Sequence, residues 1–206
     1  MSNTLSVILG HGSVAAAVDR MLPLVKRLGH PIVVCCPQDD PLPDAIGLWK
    51  ESERGGKGGF ERMWTLIEFL HGGADDAIIF EYDAVCLKPH PVVEPGLRGI
   101  GGKFPDPAFY TQDYVMSPWT LDREAIENIW HAKWNNKSVR EFGEADRLLS
   151  AWAFLGGVPM IAHHEPSFSL NTIGMRDVLD VPKDAKWIHG IKSAEVFNAL
   201  IPHGTD

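Results

Sequence analysis

Cysteine is scarce in this chain, and what there is does not pair. The 206 residues hold three cysteines, an odd number, and Cys35 and Cys36 are adjacent inside the apolar run 31–36. Such cysteines act as small buried hydrophobes rather than a disulfide framework, so a reducing, cytoplasmic location is expected. Long hydrophobic runs are also missing. No stretch approaches the roughly 20 apolar residues that span a bilayer, so no transmembrane segment is expected. Met1-Ser2-Asn3-Thr4 lacks the basic start of a secretory leader. Positive charge is in deficit, with 19 Lys and Arg against 27 Asp and Glu and a net charge of -8. That balance disfavours a broad nucleic-acid surface and leaves room only for a local basic groove. The chain has no internal repeat and no low-complexity segment.

Two nucleotide signatures are absent as well. Gly10-His11-Gly12 follows an apolar run, but Ala15 stands where a dinucleotide fingerprint needs its third glycine. Gly55-Gly56-Lys57-Gly58-Gly59 lacks the Gly-Lys-Ser/Thr ending of a Walker A loop.

The chain is organised instead around Ala77-Ile78-Ile79-Phe80-Glu81-Tyr82-Asp83-Ala84-Val85-Cys86-Leu87. A continuous apolar run reads as a strand buried on both faces. Glu81 and Asp83 sit two apart at its carboxyl end, so on extended backbone they face one spot while Tyr82 faces another. Ligands of open α/β sheets lie beyond such strand ends. A divalent cation there would offset the repulsion between the acids. The plain alternative is a strand end whose acids are solvated or paired with Lys or Arg.

The flanking segments build the frame. Residues 5–9 and 31–36 read as strands, joined by the glycine turn and a helix over about 14–28, with Ser13 as its cap. This is a βαβ unit. His11 in the turn is placed to stack on or bond to a base. Lys57, in its glycine loop, and Arg62, on the first turn of a helix over about 60–70, are placed to meet phosphate oxygens. Met63, Leu66, Ile67 and Leu70 form that helix's core face. Further on, 96–103 and 110–116 read as strands, 117–124 as a turn leading into a capped helix to about 134, and 148–154 as an apolar helix. A last strand is expected over 158–162. His163 and His164, adjacent at its end, face opposite ways and read as structural. Trp119, Trp130, Trp134 and Trp152 read as mainly core, with any exposed one of them able to stack on a sugar.

Three short motifs then stand in order: Glu81-Tyr82-Asp83, Glu144-Ala145-Asp146-Arg147 and Trp187-Ile188-His189-Gly190-Ile191-Lys192. Together they resemble the GT-A fold glycosyltransferases, which move a sugar from a nucleoside diphosphate. The resemblance spans nearly the whole chain by order of elements. It implies a Rossmann-like α/β three-layer sandwich with a central mixed, mainly parallel sheet flanked by helices. It also implies a single domain over 1–206, with 1–100 the nucleotide-sugar half and 101–206 the acceptor half.

The implied roles follow residue by residue. Asp83 and His189 would hold Mn2+ or Mg2+, with Glu81 on the metal, on it through water, or on the ribose. Gly10, His11, Gly12 and Tyr82 would line the donor. Lys192, with Lys57 and Arg62, would neutralise phosphate charge; Asp146 would be the base on the acceptor hydroxyl in an inverting enzyme, or would orient that hydroxyl in a retaining one. The implied partners are a UDP-sugar donor and a glycan or other hydroxyl acceptor. Asp146 has a plain reading too, as an acid favouring its helix dipole or pairing with Arg147. Rival functions are a haloacid-dehalogenase-like phosphatase, a non-catalytic nucleotide-sugar module and a nucleotidyltransferase. Glu81 stands where the phosphatase needs a nucleophilic Asp, and Gly10-His11-Gly12 lacks the basic residue of nucleotidyltransferase loops.

Overall fold

The apolar run before Glu81 lies in the middle of a seven-stranded sheet. In the computed structural model, which describes residues 4–51, 58–87, 90–103, 113–136, 144–170, 181 and 183–200, the strands run in chain order. They are β1 (Thr4–Leu9), β2 (Ile32–Pro37), β3 (Ile46–Trp49), β4 (Asp76–Glu81), β5 (Val85–Cys86), β6 (Leu97–Lys103), β7 (Asp113–Leu121), β8 (Met160–Ala162), β9 (Ser167–Ser169) and β10 (Trp187–His189). The main sheet has the order β3-β2-β1-β4-β7-β6-β8, and a second small sheet has the order β5-β10-β9. Strands β3, β2, β1 and β4 are parallel, and β7 is antiparallel to both of its neighbours. This is the mixed, mainly parallel α/β sandwich that the sequence predicts.

Both faces of the sheet are covered. Ala77 and Ile79 pack towards α2 (Gly58–Gly73), α3 (Arg123–Asn135) and α4 (Ala145–Leu155), while Ile78 and Phe80 pack towards α1 (Ala15–Lys26) and the small sheet. All four side chains are fully buried. Each large one contributes about 1.5–3 kcal/mol from lost water contact, so the position of β4 is strongly determined. A last helix, α5 (Ala194–Leu200), packs on the small-sheet side. Among the described residues no helix is long and apolar enough to cross a membrane.

Three expectations change. Ser13 is not the cap of α1, whose N-cap is Val14. Ser13 lies in a 3-10 turn (Gly12–Val14), and its amide and hydroxyl both donate to Asp40. Residues 117–121 are strand rather than turn. Pro118 is tolerated inside β7 because the pairing of β6 with β7 shifts register between Arg98 and Ile100, leaving it outside the ladder. The helix behind it is capped by Asp122, which accepts from Ala125 N–H at 3.3 Å. Finally, β8 is not the last strand, since β9 and β10 follow. Lys57 and residues 110–112 lie outside the described residues.

Candidate functional site

Parallel pairing places the carboxyl ends of β1 and β4 side by side, with Leu9 opposite Glu81. After Glu81 the chain turns, and β5 pairs antiparallel with β10. That pairing returns the C-terminal region to the tip of β4. Gly190 follows His189 with φ +88, a left-handed conformation that L side chains rarely adopt, and a Cβ there would lie 2.4 Å from Leu170 O. The turn lets Ile191 N–H donate to Asp83 O at 2.8 Å. One backbone hydrogen bond thus ties the segment bearing His189 and Lys192 to the segment bearing the acids.

The result is a dense charged cluster. His189 Nε2 stands 3.5 Å from Glu81 Oε2 and 3.6 Å from Asp83 Oδ1. Its Nδ1 turns to Ser169 Oγ at 3.5 Å. The second oxygen of Glu81 takes Arg62 Nη2 at 2.9 Å, and the second oxygen of Asp83 takes Lys192 Nζ at 2.8 Å. Asp83 is 3% exposed, whereas the Lys192 side chain is 69% exposed. The lysine reaches in from solvent to a buried acid. Its ammonium also lies 5.9 Å from the centre of the Tyr82 ring.

Protonation follows from this geometry. Burial alone would push Glu81 up, but the Arg62 charge and the His189 hydrogen bond hold its carboxyl below the usual range. Burial would lower His189, yet Glu81 and Asp83 outweigh it and raise the imidazole. Lys192 is raised likewise, its burial outweighed by Asp83. Asp146, on the first turn of α4, goes the other way. Burial first, then the Glu81 charge, lift it to about 8, against the opposing pull of His189 and Arg62. Its Oδ1 is covered from solvent and has no hydrogen-bond partner. A carboxyl uncharged at neutral pH beside an acid cluster is a mark of functional sites.

The donor set suits a hard or borderline dication. One ligand atom each from Glu81, Asp83 and His189 lie within 4.8 Å of one another. Two donors on opposite sides of Mg2+ are about 4.2 Å apart, so a slight contraction brings all three onto one ion. Two carboxylate oxygens and an imidazole nitrogen favour Mn2+ over Mg2+.

The remaining predicted residues border this cluster. His11 Nδ1 lies 3.2 Å from Asp40 Oδ2, and its ring meets Tyr82 edge-on at 5.6 Å. Gly10 and Gly12 have internal reasons for lacking a side chain: a Cβ would fall 2.6 Å from Val18 and 2.3 Å from Asp40 respectively. The structure therefore brings together Arg62, Glu81, Tyr82, Asp83, Asp146, His189 and Lys192, with His11 against Tyr82. Two positions carry weight that the sequence reading did not assign. Asp40 anchors the β1 turn, and its place beyond the carboxyl end of a parallel strand was the available signal. Ser117 is fully buried and accepts the Glu81 N–H at 2.9 Å; nothing local in the sequence marks it.

No protein-family model matches the chain. No curated protein matches it. In fold, the chain is similar to the crystal structure of a glycosyltransferase involved in the glycosylation of the major capsid of PBCV-1. The TM-score is 0.56 at 13% identity, covering 96% of this chain and 98% of that one. The fold is GT-A-like. Coverage of nearly all of both chains at so low an identity carries the architecture alone.

Proposed function

We propose that this chain is a metal-dependent glycosyltransferase that moves a sugar from a nucleoside diphosphate donor of the UDP class to a hydroxyl acceptor. The observation that supports it most is the meeting of Glu81, Asp83 and His189 at the carboxyl end of β4, within a fold shared with a glycosyltransferase.

Asp83 and His189 would hold Mn2+ or Mg2+ directly. Glu81, already clamped by Arg62, completes the set directly or through water. The bound dication would supply Lewis-acid stabilisation of the leaving diphosphate. The chain's own residues do the rest. Lys192 leaves Asp83 for the diphosphate oxygens, a short movement for an exposed side chain. Arg62 keeps Glu81 ionised. Lys57, from its glycine loop, adds a further cation, while Gly10, His11, Gly12 and Tyr82 hold the nucleoside. Asp146 takes the proton of the attacking hydroxyl. Added positive charge at the triad draws its carboxyl towards the ionised form, the direction in which His189 and Arg62 already act. Residues 1–100 would then serve the donor and 101–206 the acceptor. Three free, buried cysteines suit a reducing, cytoplasmic setting.

The phosphatase reading has less support. The carboxylate in its nucleophile position is Glu81, held on both oxygens by Arg62 and His189. Calorimetric titration of UDP with and without Mn2+ tests the proposal. Binding only in the presence of the metal is expected; metal-independent binding, or none, overturns it. Release of UDP from UDP-sugars under the same conditions separates an enzyme from a non-catalytic module.

A further inference from the structure

Immediately after β8, His163 is 8% exposed and has no role in the chemistry above. Its surroundings give it one. Its backbone N–H donates to Gly99 O at 2.9 Å, which fixes it to the sheet. Its Nε2–H donates to Pro118 O at 2.9 Å. Its ring lies flat on the Trp187 indole, with centres 3.9 Å apart and planes 8° from parallel. Trp187 is itself 2% exposed and donates from Nε1 to Glu165 at 3.1 Å.

The two groups that His163 touches lead to the two halves of the triad. Pro118 follows Ser117, whose hydroxyl accepts the Glu81 N–H. Trp187 and His189 stand two apart on β10, so both project from the same face of that strand. One imidazole therefore spans β7, which positions Glu81, and β10, which carries His189. A phenyl ring would stack as well on Trp187 but would leave the Pro118 carbonyl without its donor. The choice of histidine answers both contacts.

We propose that His163 is a positioning residue for the cation-binding triad, bracing β7 and β10 so that Glu81 and His189 meet Asp83. The inference rests on the metal reading of that triad. It predicts that substitution weakens cation binding beyond what any loss of stability explains, by an amount at the low end of the roughly 10–100-fold that groups bonded to the ligands themselves are worth, because His163 acts on the triad only through Pro118 and Trp187.

The test measures Mn2+ dissociation constants by the paramagnetic resonance signal of free Mn2+, on the full chain without donor. Wild type is compared with His163→Phe, His163→Gln and a distant destabilised control, Lys133→Met. Circular dichroism and thermal melting monitor the fold. His163→Phe is expected to weaken Mn2+ binding about tenfold. His163→Gln, which retains an N–H donor for Pro118 O, recovers part of that loss, and Lys133→Met leaves the affinity unchanged. Should His163→Phe not fold, His163→Gln against wild type carries the comparison. Affinities within twofold of wild type in the His163 variants overturn the positioning role and leave the metal site standing. An equal loss in Lys133→Met overturns it too, by showing that instability alone is responsible. If wild type binds no Mn2+, the metal reading fails, and this inference with it.

Discussion

Two charged clusters each draw on α2, through Arg62 in one and Glu68 in the other, and they are built on opposite terms. On the α3 side, the fully buried Lys133 pairs with Glu68 and lies over the Trp64 ring at 3.7 Å. The same carboxylate accepts Trp130 Nε1 and Trp134 Nε1, each at 3.0 Å. Each oxygen of Glu68 is engaged, and burial is outweighed by the Lys133 hydrogen bond, so its carboxyl stays below the usual range. At the tip of β4, three acids share one imidazole, one guanidinium and one solvent-borne ammonium. One acid there, Asp146, keeps a buried oxygen without a partner and is lifted to about 8. A closed polar cluster stabilises the fold. An unclosed one keeps its electrostatics in reserve for something that arrives.

Removing members of each cluster breaks the comparison where it is strongest. Asp83→Ala is expected to weaken Mn2+-dependent UDP binding by about a hundredfold or more, since a direct ligand counts at least as much as its outer partners. Calorimetry reads this, and circular dichroism should stay unchanged. Asp146→Asn is expected to spare UDP binding and to slow turnover by about 10²–10⁴-fold, the usual worth of a general base. Unchanged turnover would end its assignment as base. The same substitution should raise the melting temperature of the metal-free protein at neutral pH, because an amide escapes the cost of protonating an acid that the unfolded chain keeps ionised.

The closed cluster should respond in the other currency. Lys133→Met is expected to lower unfolding free energy by about 2 kcal/mol, below the 3–5 of a fully buried pair because Glu68 is partly exposed. Urea unfolding measures it, and UDP binding should not move. A smaller effect comes with pH. Burial, first of all, holds His163 down to about 4 against an ordinary 6.5. The unfolded chain therefore binds a proton that the folded chain refuses between those values. Stability is complete above pH 6.5 and is lost as pH falls towards 4, by about 1 kcal/mol at pH 5.5. His163→Phe should flatten that part of the urea-derived profile.

Much of the frame was legible because its signals are local. The apolar runs of β1, β2 and β4 and the helical spacing of Met63, Leu66, Ile67 and Leu70 need no tertiary knowledge. Asp122 before α3 announces its cap. Strand β7 was cut short because Pro118 reads as punctuation, while the register shift in β6 that tolerates it lies on another strand. Strands β9 and β10 have three residues each, too few to show a period. In the site, Glu81 and Asp83 were visible as an acid pair behind an apolar run, but β4 ends at Glu81, so a turn closed by Ala84 N–H on Glu81 O, and not strand alternation, brings Asp83 beside it. His189 came only from the resemblance, since no spacing links it to β4. The ion pairs of Arg62 with Glu81 and Lys192 with Asp83 replace contacts expected with phosphate, and such exchanges depend on what folds beside what.

The hydrogen bond from Ile191 N–H to Asp83 O also sets an order of events during synthesis. Glu81 and Asp83 leave the ribosome well before β10 does. A nascent chain halted short of residue 187 carries the two acids without the imidazole or the ammonium that neutralises them. The charged cluster at the tip of β4 thus assembles only once β10 and Lys192 have emerged.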